Sequence, residues 1–211
     1  LFESSWQDLS SFVRSWGTIQ NSVDDVRLNR FTHSGISLTV RNDEGTFNNE
    51  SSTFSRWNGF LTRYRSLVRI EAGFTTSSGE LPTDSTMGIF VMTNEIPIRG
   101  STNDTVIQCS SLRSIFDEVR ATTITGIGTT QSASDIIARI RDHTDGSTRF
   151  IFRQFITSTA WSIQTTTGQY NFATSTTFDN MSAWDLMENL AEAEGFGLLI
   201  TRTGGLTFKN R

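Results

Sequence analysis

Two histidines, His33 and His143, and one cysteine, Cys109, make up the whole supply of imidazole and thiol groups in this 211-residue chain. Neither an HExxH nor a CxxC spacing occurs, so the inventory builds no recognisable metal or nucleophile motif. His33 falls in Thr32-His33-Ser34, which reads as a turn before a strand. His143 follows an amphipathic helical stretch, where a cation suits the negative end of the helix dipole. Both read as surface or cap residues. A single cysteine excludes an intrachain disulfide framework, and within TVIQCSS it reads as a small buried hydrophobe. Glu188, Glu192 and Glu194 could in principle supply a carboxylate pair for glycoside hydrolysis. They share one short helix with no apolar pocket in its pattern, so a solvated face is the reading. Gly126-Ile127-Gly128 is half of a dinucleotide loop, but Gln131 stands where a third glycine belongs and no apolar parallel strand leads in. Asp43 and Glu44 lack the spaced ligands of an EF-hand and read as turn residues. Phe54, Trp57, Phe60 and Tyr64 could stack on sugar, or fold onto a barrel end or into a subunit interface, the latter being preferred. No catalytic residue, cofactor site or metal site is therefore expected.

The elements that position these residues are mostly strands. In Gly35–Phe47, GISLTVRNDEGTF, Ile36, Leu38 and Val40 alternate with Ser37, Thr39 and Arg41, the signature of a strand with one buried face. Asn42-Asp43-Glu44-Gly45 suits a tight turn with a left-handed glycine at Gly45, after which Phe47 returns to the core. Upstream, Trp6, Leu9, Val13 and Trp16 allow a helical turn, in competition with a strand starting at Phe12-Val13. Strands are expected around 18–23, 25–31, 67–74, 87–98 and 105–109, with Val68, Ile70, Ala72 and Phe74 on one face of the third. Residues 111–119 form a short helix, with Leu112, Ile115, Phe116 and Val119 on one side. These elements make a first region, 1–120, of strands closed by a helix.

A second region, 121–211, opens with a Thr/Gly loop. A helix over 132–143 follows, capped by Ser132 or Ser134, with Ile136, Ile137 and Ile140 inward. Strands are expected over 149–156 and 160–165. Ser182 to Asp185 is a capping-box-like start to a helix anchored by Trp184 and Leu190 and stopped at Gly195. A hairpin, 198–201 and 206–209, turns through Arg202 to Gly205. The expected fold class is α+β and β-dominated.

Hydrophobic residues make up 36% of the chain and charged residues 19%, which is a globular balance. The formal net charge of −4 argues against a nucleic-acid binder, which needs a basic patch to neutralise phosphates. No stretch approaches the roughly 18 apolar residues of a membrane span. A start at Leu1, with no basic-then-apolar leader, fits a processed chain or a piece of a longer one.

Three stretches, taken in order, carry a resemblance. They are WQDLSSFV with DVRLNRFTHSGISLTVRNDEGTFN and LVRIEAGF; the pair MGIFVMTNEI and TVIQCSSLRSIFDEV; and TTFDNMSAWDLMENLAEAEGFGLLITRTGGLTFKNR. Together they resemble the N-terminal part of tailed-bacteriophage baseplate-hub or tail-tip proteins, the tail-associated protein family. The resemblance implies a tube-type β-barrel domain followed by a smaller α/β decorating domain. It implies a virion structural protein, not an enzyme, at the tail tip or baseplate. Such a protein forms a ring, a trimer, that continues the tail tube and anchors tip proteins for DNA passage and host attachment. Its partners would be its own copies and other tail proteins (tube, distal tail, tip fibre or spike), with DNA present only in transit. Phe54, Trp57, Phe60 and Tyr64 become candidate interface residues. Asp24, Asp25, Asp43 and Glu44 become candidates to face the lumen, or remain turn residues on the outside. Two alternatives stand beside this reading: a tail-associated cell-wall hydrolase whose catalytic domain lies outside this chain, and a carbohydrate-binding module for host adhesion.

Overall fold

The computed structural model describes residues 6–19, 21–23, 31–33, 35–43, 47, 61, 63, 66–73, 77–79, 86–94, 104–124, 127, 131–144, 151–156, 160–163, 171–172 and 180–209. Its strands are β1 (Val13–Trp16), β2 (Asn21–Val23), β3 (Phe31–His33), β4 (Ile36–Arg41), β5 (Leu67–Glu71), β6 (Thr86–Met92) and β7 (Asp104–Ser111). Then come α1 (Arg113–Asp117), β8 (Gln131–Ser132), α2 (Ala133–Arg141), β9 (Trp161–Ile163) and β10 (Asn171–Phe172). The last elements are α3 (Ala183–Glu194), β11 (Gly197–Ile200) and β12 (Leu206–Lys209). The fold is α+β and β-dominated, with a curled half-barrel antiparallel sheet and a few helices. The chain divides into two compact units. One holds Leu1–Gln20, His33–Arg69 and Ile89–Ser111; the other holds Asn21–Thr32, Ile70–Gly88 and Leu112–Arg211.

The five-stranded sheet has the order β1-β4-β7-β6-β5. Its centre is β4 on β7, paired antiparallel from Ile36↔Cys109 to Arg41↔Asp104. Residues paired across an antiparallel ladder share a face. Ile36, Leu38 and Val40 therefore stand on the same side as Cys109, Ile107 and Thr105, and all six are buried. Met92 and Phe90 of β6 extend that side through Met92↔Cys109 and Phe90↔Ser111. The period-two reading of 36–41 is what the strand adopts. Gly35 is required at its start because a Cβ there would lie 2.5 Å from the Cys109 carbonyl oxygen. After β4 the buried Asn42 accepts a hydrogen bond at Oδ1 from the Phe47 N–H, at 2.8 Å. Phe47 is buried and meets Phe12 edge-on. Gly45 lies outside the described residues.

Several boundaries differ from expectation. The start of the chain resolves the competition between helix and strand into both, a single 3-10 turn at Ser10–Phe12 running into β1. β5 stops at Glu71, and Ala72 is exposed instead of continuing the inner face. β6 ends at Met92, not at 98, because Asn94 puts its side chain where the strand backbone would go. Its Nδ2 donates to the Val106 carbonyl and its Oδ1 accepts from the Gln108 N–H, both at 2.8 Å. Thr32-His33 is strand, not turn, since β3 pairs with β2 in a two-stranded sheet.

In the second unit α2 and α3 start identically. Ser132 and Ser182 each accept a hydrogen bond from the backbone N–H three residues on. Asp135 and Asp185 return one to the cap residue's own N–H, a reciprocal capping box. α3 ends in a Schellman turn: Gly195 takes φ 68°, the Phe196 N–H reaches the Ala191 carbonyl, and the Gly195 N–H that of Glu192. Trp184 and Leu190 are both buried, as expected of anchors, and so are Ile136, Ile137 and Ile140. α1, expected to close the strand region, packs on α3 within this unit. Residues 149–156 were expected as a strand. Where described, they form a 3-10 turn at Phe152–Gln154. Phe152 is there fully buried, its ring stacked 4.4 Å from that of Phe116. Trp161 and Trp184 lie against the same Phe116 ring, 5.8 and 5.9 Å between centroids. The hairpin β11-β12 forms with its first strand one residue earlier than expected, and β9 joins it in parallel on the far side of β12. β8 with β10 is a two-residue ladder that the sequence pattern did not signal.

Candidate functional site

The described residues singled out for chemistry lie in different elements. Cys109 lies in the buried face of β7, and burial pushes its thiol up to about 12, which disfavours the thiolate. His143 is buried, not on the surface. Its ring stands beside Phe152, its N–H reaches the Ile140 carbonyl, and its own carbonyl accepts from the Ile151 N–H. His33 lies in β3. Glu192 is on the solvent side of α3, whereas Glu188 is half-buried and structural. It accepts a hydrogen bond from the Trp184 indole N–H and lies 3.5 Å from the Arg113 guanidinium. Arg113 also reaches Asp117 at 3.3 Å and covers the Trp184 ring. Burial pushes the Asp117 carboxyl up, opposed by Arg113 and aided by the charges of Asp185 and Glu188. This cluster fastens α1 to α3. Among the described residues no group of His, Cys, Asp and Glu could hold a metal ion. Among them, too, no helix is long and apolar enough to cross a membrane.

The surface most suited to recognition is the β1 end of the sheet. Among the described strands β1 pairs only with β4, which makes it an end strand of this sheet. Between Val13↔Val40 and Ser15↔Thr39 two residues of β1 oppose one of β4, a bulge that carries Arg14. The extra residue turns Trp16 onto the row of Leu38 and Ile107. Leu38 and Ile107 are sealed, but Trp16 is 56% exposed. The inner face of the sheet thus runs out to its edge in an indole only half covered. Trp6 is also exposed, and Arg69 lies over its ring at 4.5 Å.

The opposite face is polar. Ser15, Thr39 and Val106 form one row, and Ser37 and Gln108 another. At its end Arg14 reaches Asp104 at 2.9 Å and Arg41 reaches Asp43 at 2.9 Å, with Arg41 and Asp104 paired across the ladder. Two arginines and two aspartates therefore alternate in sign. Of the candidate lumen residues, Asp43 belongs to this row; Asp24, Asp25 and Glu44 lie outside the described residues. So do the candidate interface residues Phe54, Trp57, Phe60 and Tyr64. The sequence pattern places Trp16 only in a helical series. A strict alternation from Val13 would have put it on the outer face, and only the bulge reverses that.

Comparison with family models, with curated proteins and with solved structures returned no match.

Proposed function

We propose that this chain is a structural subunit of a bacteriophage tail hub or tip, without catalytic activity of its own. Its sheet would be part of a tube-type β-barrel that assembles into a trimeric ring continuing the tail tube. The observation that carries the reading is the half-exposed Trp16, on a bulged end strand and in register with the buried row of Leu38 and Ile107. A ring subunit needs an edge of this kind, where neighbouring copies can continue both the ladder and the apolar face. The resemblance of the three ordered sequence stretches supports the family reading. The α2–α3 unit would be the decorating domain, and tube, distal-tail and tip proteins the neighbours.

The polar face of the sheet fits a conduit. DNA is retained by uncompensated Lys and Arg, and Arg14 and Arg41 each stand against an aspartate. The net charge of −4 acts in the same direction. The deciding experiment is imaging of the native particle: the chain should form a ring on the tail axis, and a monomer away from that axis would overturn the hub reading. Activity of the isolated chain on purified peptidoglycan would favour a hydrolase instead, and specific glycan-array hits an adhesion module.

A further inference from the structure

We draw no further inference here: the strongest candidate, the open β1 edge with the half-exposed Trp16 beside Leu38, belongs to the surface already described, and nothing in the structure shows what covers it.

Discussion

The helical part of the second unit and the sheet of the first end their elements in opposite ways. α2 and α3 are closed by their own sequence: a serine and an aspartate at each start, and Gly195 at the end of α3. Their cores meet on the Phe116, Phe152, Trp161 and Trp184 rings, which are buried together. In the sheet, the inner face is just as well sealed at β4 and β7, but the ladder stops at β1 with a large indole half in solvent. One part satisfies its termini locally, through residues three or four apart. The other, among the described residues, ends in an edge strand whose indole is half in solvent. Local closure and an edge strand thus fall to different secondary structures among the described residues.

The largest expected effect comes from Phe116→Ala. It removes the ring that touches Phe152, Trp161 and Trp184, and should cost about 3–5 kcal/mol. Chemical denaturation followed by tryptophan fluorescence would report it. If the two parts are energetically separate, alkylation of Cys109, which reports opening of the sheet, should keep its native rate. Parallel loss of Cys109 protection would erase the contrast. Gly35→Ala tests the sheet from the other side. Its Cβ would press on the Cys109 carbonyl at 2.5 Å, and an overpacked contact of that kind costs about 1–3 kcal/mol. Cys109 should then alkylate faster while the helical signal holds; an unchanged rate would mean that the ladder yields there without strain.

Ser182→Ala should cost about 1 kcal/mol by removing the α3 cap, measured as a lowered melting temperature. The same change at Ser15, an exposed position of β1, should leave the melt within about 0.5 kcal/mol of the parent. Equal effects would show that capping is not what distinguishes the helices.

The smallest effects concern pH. Asp117, raised by burial, holds its proton more tightly in the folded state than in the unfolded one. Its ionisation therefore costs stability above its folded pKa, and that cost is relieved as pH falls toward the ordinary value of 3.8. Asp142 is lowered, first by its hydrogen bond from Arg141. Its contribution is present above 3.8 and lost as pH falls through its depressed folded value. The two slopes have opposite signs on the two sides of 3.8. Both side chains are about two-fifths exposed, so solvent keeps the amplitudes small. Melting curves of Asp117→Asn and Asp142→Asn across that range should flatten one slope each, and a change in the wrong window would reverse the assignment.

What could be read from the sequence was what a few consecutive residues determine. The alternation over 36–41 chooses a face by itself, and Ser-x-x-Asp caps a helix whatever lies beyond it. The misreadings needed distant partners. Residues 151–156 leave an extended path as Phe152 stacks on Phe116, and His143 is buried beside Phe152, with its carbonyl bonded to the Ile151 N–H. β8 and β10 are joined by two residue pairs across a long separation, a length at which no pattern exists to detect. The candidate site suffers most: one bulged residue in β1 reverses the face of Trp16, and nothing in VRSW marks it.

Asn94 has a kinetic consequence. The Gln108 N–H sits in a central strand, yet its acceptor is a side-chain oxygen of Asn94, not a backbone carbonyl. A side chain changes rotamer on the picosecond-to-nanosecond scale when free, far faster than a ladder opens. Hydrogen–deuterium exchange at Gln108 should thus follow the fraction of time that one side-chain amide is turned away. The Met92 amide, bonded to the Ser66 carbonyl, exchanges only when backbone parts from backbone. Along a single sheet, two neighbouring protons keep two different clocks.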